Sequence, residues 1–170
     1  MDISQDVIEK AKKVKLLILD VDGVLTEGSI IYDSRGRELK FFNVKDGLGV
    51  FLLTQEGIPV VILSARDSKV VRRRAKDMHI KGIYCGYPKE PYLDKILKEH
   101  NVALDEVCFI GDDLIDIEIA KKVGLSVAVA DASSQFKKVA SFTTENRGGR
   151  GAVREVVEML LKAKDLWKWG

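Results

Sequence analysis

The chain has 170 residues, a length that suits one domain with a sizeable core. Hydrophobic residues make up 46% and charged residues 32%, and the net charge of +2 excludes a nucleic-acid or membrane partner recruited by bulk attraction. No apolar run approaches the roughly 20 residues that span a bilayer, and no basic-then-apolar leader opens the chain, so a cytoplasmic protein is expected.

An acidic, mixed stretch with a helical pattern comes first. Residues 16–21 then form a short apolar run, read as a strand, that ends in Asp20-Val21-Asp22-Gly23. In extended chain, Asp20 and Asp22 fall on one side, and Gly23 lets the backbone turn close to a ligand.

The next segment breaks the pattern. Residues 29–32 and 38–42 flank Asp33-Ser34-Arg35-Gly36-Arg37, which reads as a β-hairpin with a glycine-containing turn. The hairpin carries Ile30, Ile31, Tyr32, Phe41 and Phe42 with no clean polar face. A hairpin apolar on both sides needs cover on both, so residues 28–43 are expected to pack against another subunit.

From there helices and strands alternate. Helical patterns over 47–56, 68–79, 91–100, 115–123 and 135–140 separate apolar runs at 59–63, 83–84, 107–110 and 125–129, and a last helix covers 151–164. Gly57 and Gly124 are placed where left-handed C-caps would sit. The run Arg72, Arg73, Arg74 reads as the solvated face of a helix. Cys85 and Cys108 fit no metal pattern and read as buried thiols of a reducing compartment. This alternation predicts an α/β fold, one parallel sheet with helices on both faces, in a single domain over 1–170.

In such sheets ligands bind at the carboxyl ends of the strands. The strand ends supply Asp20 and Asp22; Ser64, Ala65 and Arg66; Gly86-Tyr87-Pro88-Lys89; and Gly111-Asp112-Asp113 with Asp116. Each piece alone has a plainer explanation as turn, cap or surface residue. Together, the carboxylates of Asp20, Asp22, Asp112 and Asp113, a hydroxyl and a lysine on one edge describe phosphoryl transfer. Clustered carboxylates repel one another without a cation, and magnesium takes carboxylate and phosphate oxygens. A carboxylate can attack phosphorus, a second carboxyl can protonate the leaving oxygen and then activate water, and Lys89 with Ser64 can hold the phosphoryl group.

These residues resemble the motifs of the haloacid dehalogenase (HAD) superfamily, whose Rossmann-like fold they imply. Asp20-Val21-Asp22-Gly23-Val24-Leu25-Thr26 is similar to its first motif, Ser64 to the second, Lys89 to the third, and Gly111-Asp112-Asp113 with Asp116 to the fourth. The resemblance implies Asp20 as nucleophile and Asp22 as general acid/base. It implies Mg2+ on Asp20, the Asp22 carbonyl and Asp112, with Asp113 and Asp116 supporting that shell. Stretches 20–26, 42–49, 111–116, 124–132 and 148–155 resemble more narrowly the 3-deoxy-D-manno-octulosonate (KDO) 8-phosphate phosphatases, cap-less homotetramers of lipopolysaccharide synthesis acting on a sugar-acid phosphate. Short gaps between the first three motifs leave no room for a large cap, in agreement. Arg66, and Arg150 in Gly148-Gly149-Arg150-Gly151, are candidate anion contacts, and Lys45 and Asp46 match a family stretch near the sugar. The departure is Ser64-Ala65-Arg66 where the family commonly has Thr-Gly-Arg. Two other readings are a phosphatase for a nonulosonate 9-phosphate or broad sugar phosphates, and a phospho-accepting receiver domain. Receivers carry their phosphorylated Asp after the third strand, where this chain has none. Trp167 and Trp169 have no functional account.

Overall fold

The computed structural model describes residues 3–169. Helix α1 (Gln5–Lys13) is capped by Ser4, whose hydroxyl accepts from the Val7 amide, and it buries Val7 and Ala11. Strand β1 (Leu16–Leu19) is buried at every position, as a strand covered on both faces must be. The hairpin follows as β2 (Ile31–Tyr32) and β3 (Glu38–Leu39), antiparallel and separate from the main sheet.

The rest alternates as α2 (Val44–Gln55), β4 (Val60–Ser64), α3 (Lys69–Asp77), β5 (Gly82–Cys85), α4 (Glu90–His100), β6 (Val107–Gly111), α5 (Ile117–Ala120), β7 (Leu125–Ala128), α6 (Ser134–Lys137), β8 (Phe142–Thr143) and α7 (Ala152–Ala163). Asn43 caps α2 and Ser68 caps α3. The six strands of the main sheet run parallel in the order β5-β4-β1-β6-β7-β8. From β1 the chain winds outward through β4 to β5, then crosses to β6 on the other side of β1. Right-handed crossovers put α2 and α3 on one face and α4 to α6 on the other. Helix α7 returns to pack on α2 and α1, while α4 meets α5. The change of direction falls between β1 and β6, which is where this fold opens a crevice.

Five expectations need correction. Cys108 is buried, but Cys85, in the edge strand β5, is only half-buried. Gly57 is left-handed, with φ of +80°, but Gly124 is not. Its place is required by closeness instead: a Cβ there would lie 2.4 Å from the Asp105 carbonyl oxygen. Helix 115–123 is broken into a 3-10 turn (Leu114–Asp116) and one turn of α5, because Asp113 and Asp116 hold the backbone in a tight cap. Strand β8 was not expected; two residues are too few to show a period. Arg72 and Arg73 are exposed, but Arg74 turns inward to the Asn43 carbonyl and over the Phe42 ring.

Candidate active site

The loop after β1 is wound on one carbonyl. Val21 O accepts from the amides of Val24, Leu25 and Thr26, at 3.2, 2.9 and 3.1 Å. This winding aims Asp20 into the sheet edge and requires Gly23, at φ +96°, in contact with Asp112. A Cβ on Gly23 would stand 2.0 Å from Asp112 Oδ2. Behind Gly23 lies the glycine-rich loop before α7: a Cβ on Gly148 would overlap Gly23 O, and the Gly149 amide donates to Val24 O at 2.8 Å.

Asp20 is buried, and its Oδ1 accepts from Lys89 Nζ at 2.8 Å. Lys89 enters at the start of α4 with its side chain fully enclosed, and the same ammonium donates to Asp116 Oδ1 at 2.5 Å. Asp116 Oδ2 accepts from the amides of Asp112 and Asp113 at 3.0 and 3.4 Å. Both oxygens of Asp116 are therefore occupied. Asp113 is exposed and accepts from the Leu114 amide at 2.8 Å, so it caps the 3-10 turn.

Carboxylate oxygens of Asp20, Asp112 and Asp116 lie within 4.8 Å of one another. Three carboxylates thus face one ammonium. Burial pushes the Asp20 carboxyl up to about 6, with Lys89 opposing and Asp116 adding. Burial, then the charges of Asp20, Asp116 and Asp113, push Asp112 up to about 8. Burial alone would lower Lys89, but Asp20 and Asp116 outweigh it and its pKa rises. A site so short of positive charge fits a divalent cation. With Asp116 already engaged, Asp20 and Asp112 have oxygens to offer it.

Ser64, at the end of β4, is buried and accepts from the Arg66 amide at 3.3 Å. Ser64, Ala65 and Arg66 share a cleft of about 140 Å³ with Asp20, Asp22, Asp112 and Asp113. The Asp22 side chain is held by other cations than Lys89. Its Oδ1 meets Lys40 Nζ, and its Oδ2 lies 3.5 Å from Arg66 Nη1. Lys40 also reaches Glu38 Oε1 at 3.2 Å, and Glu38 in turn accepts from Ser68 Oγ and from Arg66 at 3.3 Å.

Lys40 and Glu38 were not singled out in the sequence. The signal was available: Glu38 and Lys40 are two apart in the run 38–42 read as the hairpin's second strand, a spacing that shares a face. The hairpin thus has a polar face after all, and that face is turned to its own chain.

Arg150 is exposed, paired with Glu27 Oε1 at 2.7 Å. It lines a second cavity of about 580 Å³ with Glu27, Ile31, Phe41 and Gly149 among others. Lys45 and Asp46 do not join either cavity. Lys45 is exposed, and Asp46 is buried, accepting from the amides of Gly151 at 3.2 Å and Arg154 at 2.8 Å. The expected sugar contact at Asp46 is corrected: its carboxylate satisfies the orphan amides at the start of α7. At the far end of α7, Trp167 packs under Arg154 and Lys162.

Residues 85–156, which include Lys89 and the Gly111–Asp116 turn, match the model of the haloacid dehalogenase-like hydrolases. The chain is 44% identical to the 3-deoxy-D-manno-octulosonate 8-phosphate phosphatase KdsC of Escherichia coli K12, over 95% of this chain and 87% of that protein. The crystal structure of the Yersinia pestis phosphatase of the same name superposes with a TM-score of 0.94 at 41% identity, covering 96% of this chain and 89% of that one. The Moraxella catarrhalis phosphatase, solved with a magnesium ion, a phosphate ion and a KDO molecule, gives 0.93 at 40% identity, covering 96% and 94%. Likeness of this depth over nearly the full length of both chains goes beyond a shared fold: the chain belongs to the 3-deoxy-D-manno-octulosonate 8-phosphate phosphatase family of HAD-like hydrolases.

Proposed function

We infer that the chain is a magnesium-dependent phosphomonoester hydrolase. It converts 3-deoxy-D-manno-octulosonate 8-phosphate to the free sugar acid and phosphate for lipopolysaccharide synthesis. The observation that carries this reading is the buried Asp20 carboxylate, held by Lys89 beside Asp112 at the end of β1.

An oxygen of Asp20 bonds to phosphorus as the ester P–O bond breaks, and Asp22 gives its proton to the departing sugar oxygen. Water then bonds to phosphorus, passing a proton back to Asp22, while the bond to Asp20 breaks and phosphate leaves. Lys89 and the Ser64 hydroxyl hold the phosphoryl oxygens, and Asp116 keeps Lys89 and the Asp112 backbone in place. Asp20, the Asp22 carbonyl and Asp112 would hold Mg2+, which supplies a Lewis acid for the charge on the transferring group. Gly23 and Ala65 let the backbone pass close to it. The cleft by Ser64 suits a phosphoryl group, and Arg66 in that cleft and Arg150 in the second cavity suit the carboxylate of a sugar acid.

The polar face of the hairpin is used within the chain, while Ile30, Tyr32, Leu39 and Phe41 remain exposed, Phe41 by 75%. A homotetramer joined by these hairpins would cover them and exclude bulk water from the site. No helix among the described residues is long and apolar enough to cross a membrane. Synthesis of a sugar acid from its phosphate suits a single domain working in the cytoplasm.

The test is phosphate release from 3-deoxy-D-manno-octulosonate 8-phosphate with magnesium, beside a nonulosonate 9-phosphate and common sugar phosphates. Strong preference for the first is expected. Preference for another sugar would keep the reaction and change the substrate, and no release from any would overturn the reading.

A further inference from the structure

We propose that Lys40, brought in by the hairpin, is a positioning residue that fixes the side chain of Asp22 for proton transfer; the inference rests on the phosphatase reading above. The Lys40 side chain is 1% exposed and its ammonium touches Asp22 Oδ1 and Glu38 Oε1. An ammonium so enclosed must keep its partners, since no solvent can take the place of one that is lost. Asp22 is therefore gripped from two sides, by Lys40 on Oδ1 and by Arg66 Nη1 at 3.5 Å from Oδ2.

Lys40 is in turn braced. Glu38, on the same face of the strand, accepts from Lys40, from Arg66 and from Ser68, the cap of α3. The hairpin is thereby anchored to the helix that follows Ser64. Apolar packing would anchor a hairpin at least as well, because enclosed ion pairs add little net stability. What the ion pair adds is orientation. A general acid must lie within hydrogen-bond reach of the oxygen it protonates, and a 1 Å displacement costs about 10²-fold in rate.

Lys40 holds Oδ1 closely and Arg66 stands 3.5 Å from Oδ2, so Oδ2 is the more loosely held oxygen and the one assigned to the proton transfer. In the first step the Asp20–phosphorus bond forms, the ester P–O bond breaks, and its electron pair takes the proton from Asp22. In the second step the attacking water returns a proton to Asp22. Lys40 takes no part in either transfer.

The test compares two esters within one preparation of Lys40→Met, a change that keeps the length and apolar volume of the stem. The sugar phosphate has an alkoxide leaving group that needs a proton; the nitrophenolate of p-nitrophenyl phosphate leaves without one. The expected result is a roughly 10²-fold fall in the first-turnover rate on the sugar phosphate. The nitrophenol burst should fall less than about threefold, a small loss because that step needs no acid. The ratio of the two rates does not depend on what fraction of the variant is folded. In an Asp22→Asn background, Lys40→Met should cause no further loss, as coupled residues do. Equal losses on both esters, or an undiminished loss without Asp22, would overturn the proposal and leave Lys40 as an anchor of the hairpin. Failure of the unmodified protein to hydrolyse either ester would remove the phosphatase reading, and the inference with it.

Discussion

Lys89 Nζ stands 2.8 Å from Asp20 Oδ1 in a position with no exposed surface. The pair is separated by 69 residues in sequence, so it exists only because β1 and the start of α4 meet at one sheet edge. Removing the ammonium leaves Asp20, Asp112 and Asp116 with no protein cation between them. Lys89→Met is expected to lower kcat by roughly 10² to 10³, the scale of losing one preorganised charge at a reacting centre. Phosphate release at saturating magnesium measures it, and a loss under tenfold would take Lys89 out of the phosphoryl site.

Asp20→Asn should reduce turnover by at least roughly a thousandfold, as loss of a nucleophile does. The circular dichroism spectrum should stay unchanged. Acid quenching during turnover should trap a phosphoryl group on the unmodified protein and none on the variant. A trapped phosphoryl group in Asp20→Asn would move the nucleophile elsewhere.

The raised carboxyls tie stability to pH. Asp20 and Asp112 have folded-state pKa values of about 6 and about 8 against 3.8 for the free side chain. Across that window the folded state holds protons that the unfolded chain has released, so the metal-free fold loses stability as pH rises through it. With a chelator present, Tm should fall as the solution is taken from mildly acidic to mildly alkaline. Magnesium, which needs the ionised carboxylates, should raise Tm more at the alkaline end. An equal magnesium shift at both ends would contradict the carboxylate cluster as the binding site.

Asp46 separates a structural role from a substrate role. Asp46→Ala uncovers the amides of Gly151 and Arg154, a destabilisation of about 1–3 kcal/mol by chemical denaturation. KM for the sugar phosphate should not change. A raised KM at unchanged stability would return Asp46 to the sugar.

The exposed face of the hairpin can be tested apart from its polar face. Phe41→Asp places a charge in any contact made there. Light scattering should report a smaller assembly, and an unchanged mass would remove the hairpin from the subunit contact.

Much of this site could be read from the chain because its parts sit at fixed offsets from periodic elements. The buried runs of β1, β4, β6 and β7 are long enough to show as strands, and Asp20, Ser64 and Asp112 come at or just after the end of one. Lys89 follows the apolar run at 83–84 and is similar to the third motif, and the fold carries it to Asp20. What stayed hidden depends on contacts between distant segments. Lys40 lies 18 residues from Asp22, on a hairpin whose apolar residues drew attention to its other face. Asp46 looked like a polar residue near the site, and only the arrival of α7 against α2 turns it into a helix cap. Gly124 looked like a C-cap because it follows a helix, whereas its small size is set by the Asp105 backbone.

The contact of Gly148 with Gly23 has a consequence for synthesis of the protein. The loop that presents the nucleophile is made well before its brace. A nascent chain can pair β1 with β4 and β6 before residue 148 is translated, but Gly23 has no backing until Gly148 and Gly149 arrive. Polypeptides cut short before residue 148 should thus be inert even where they are largely folded.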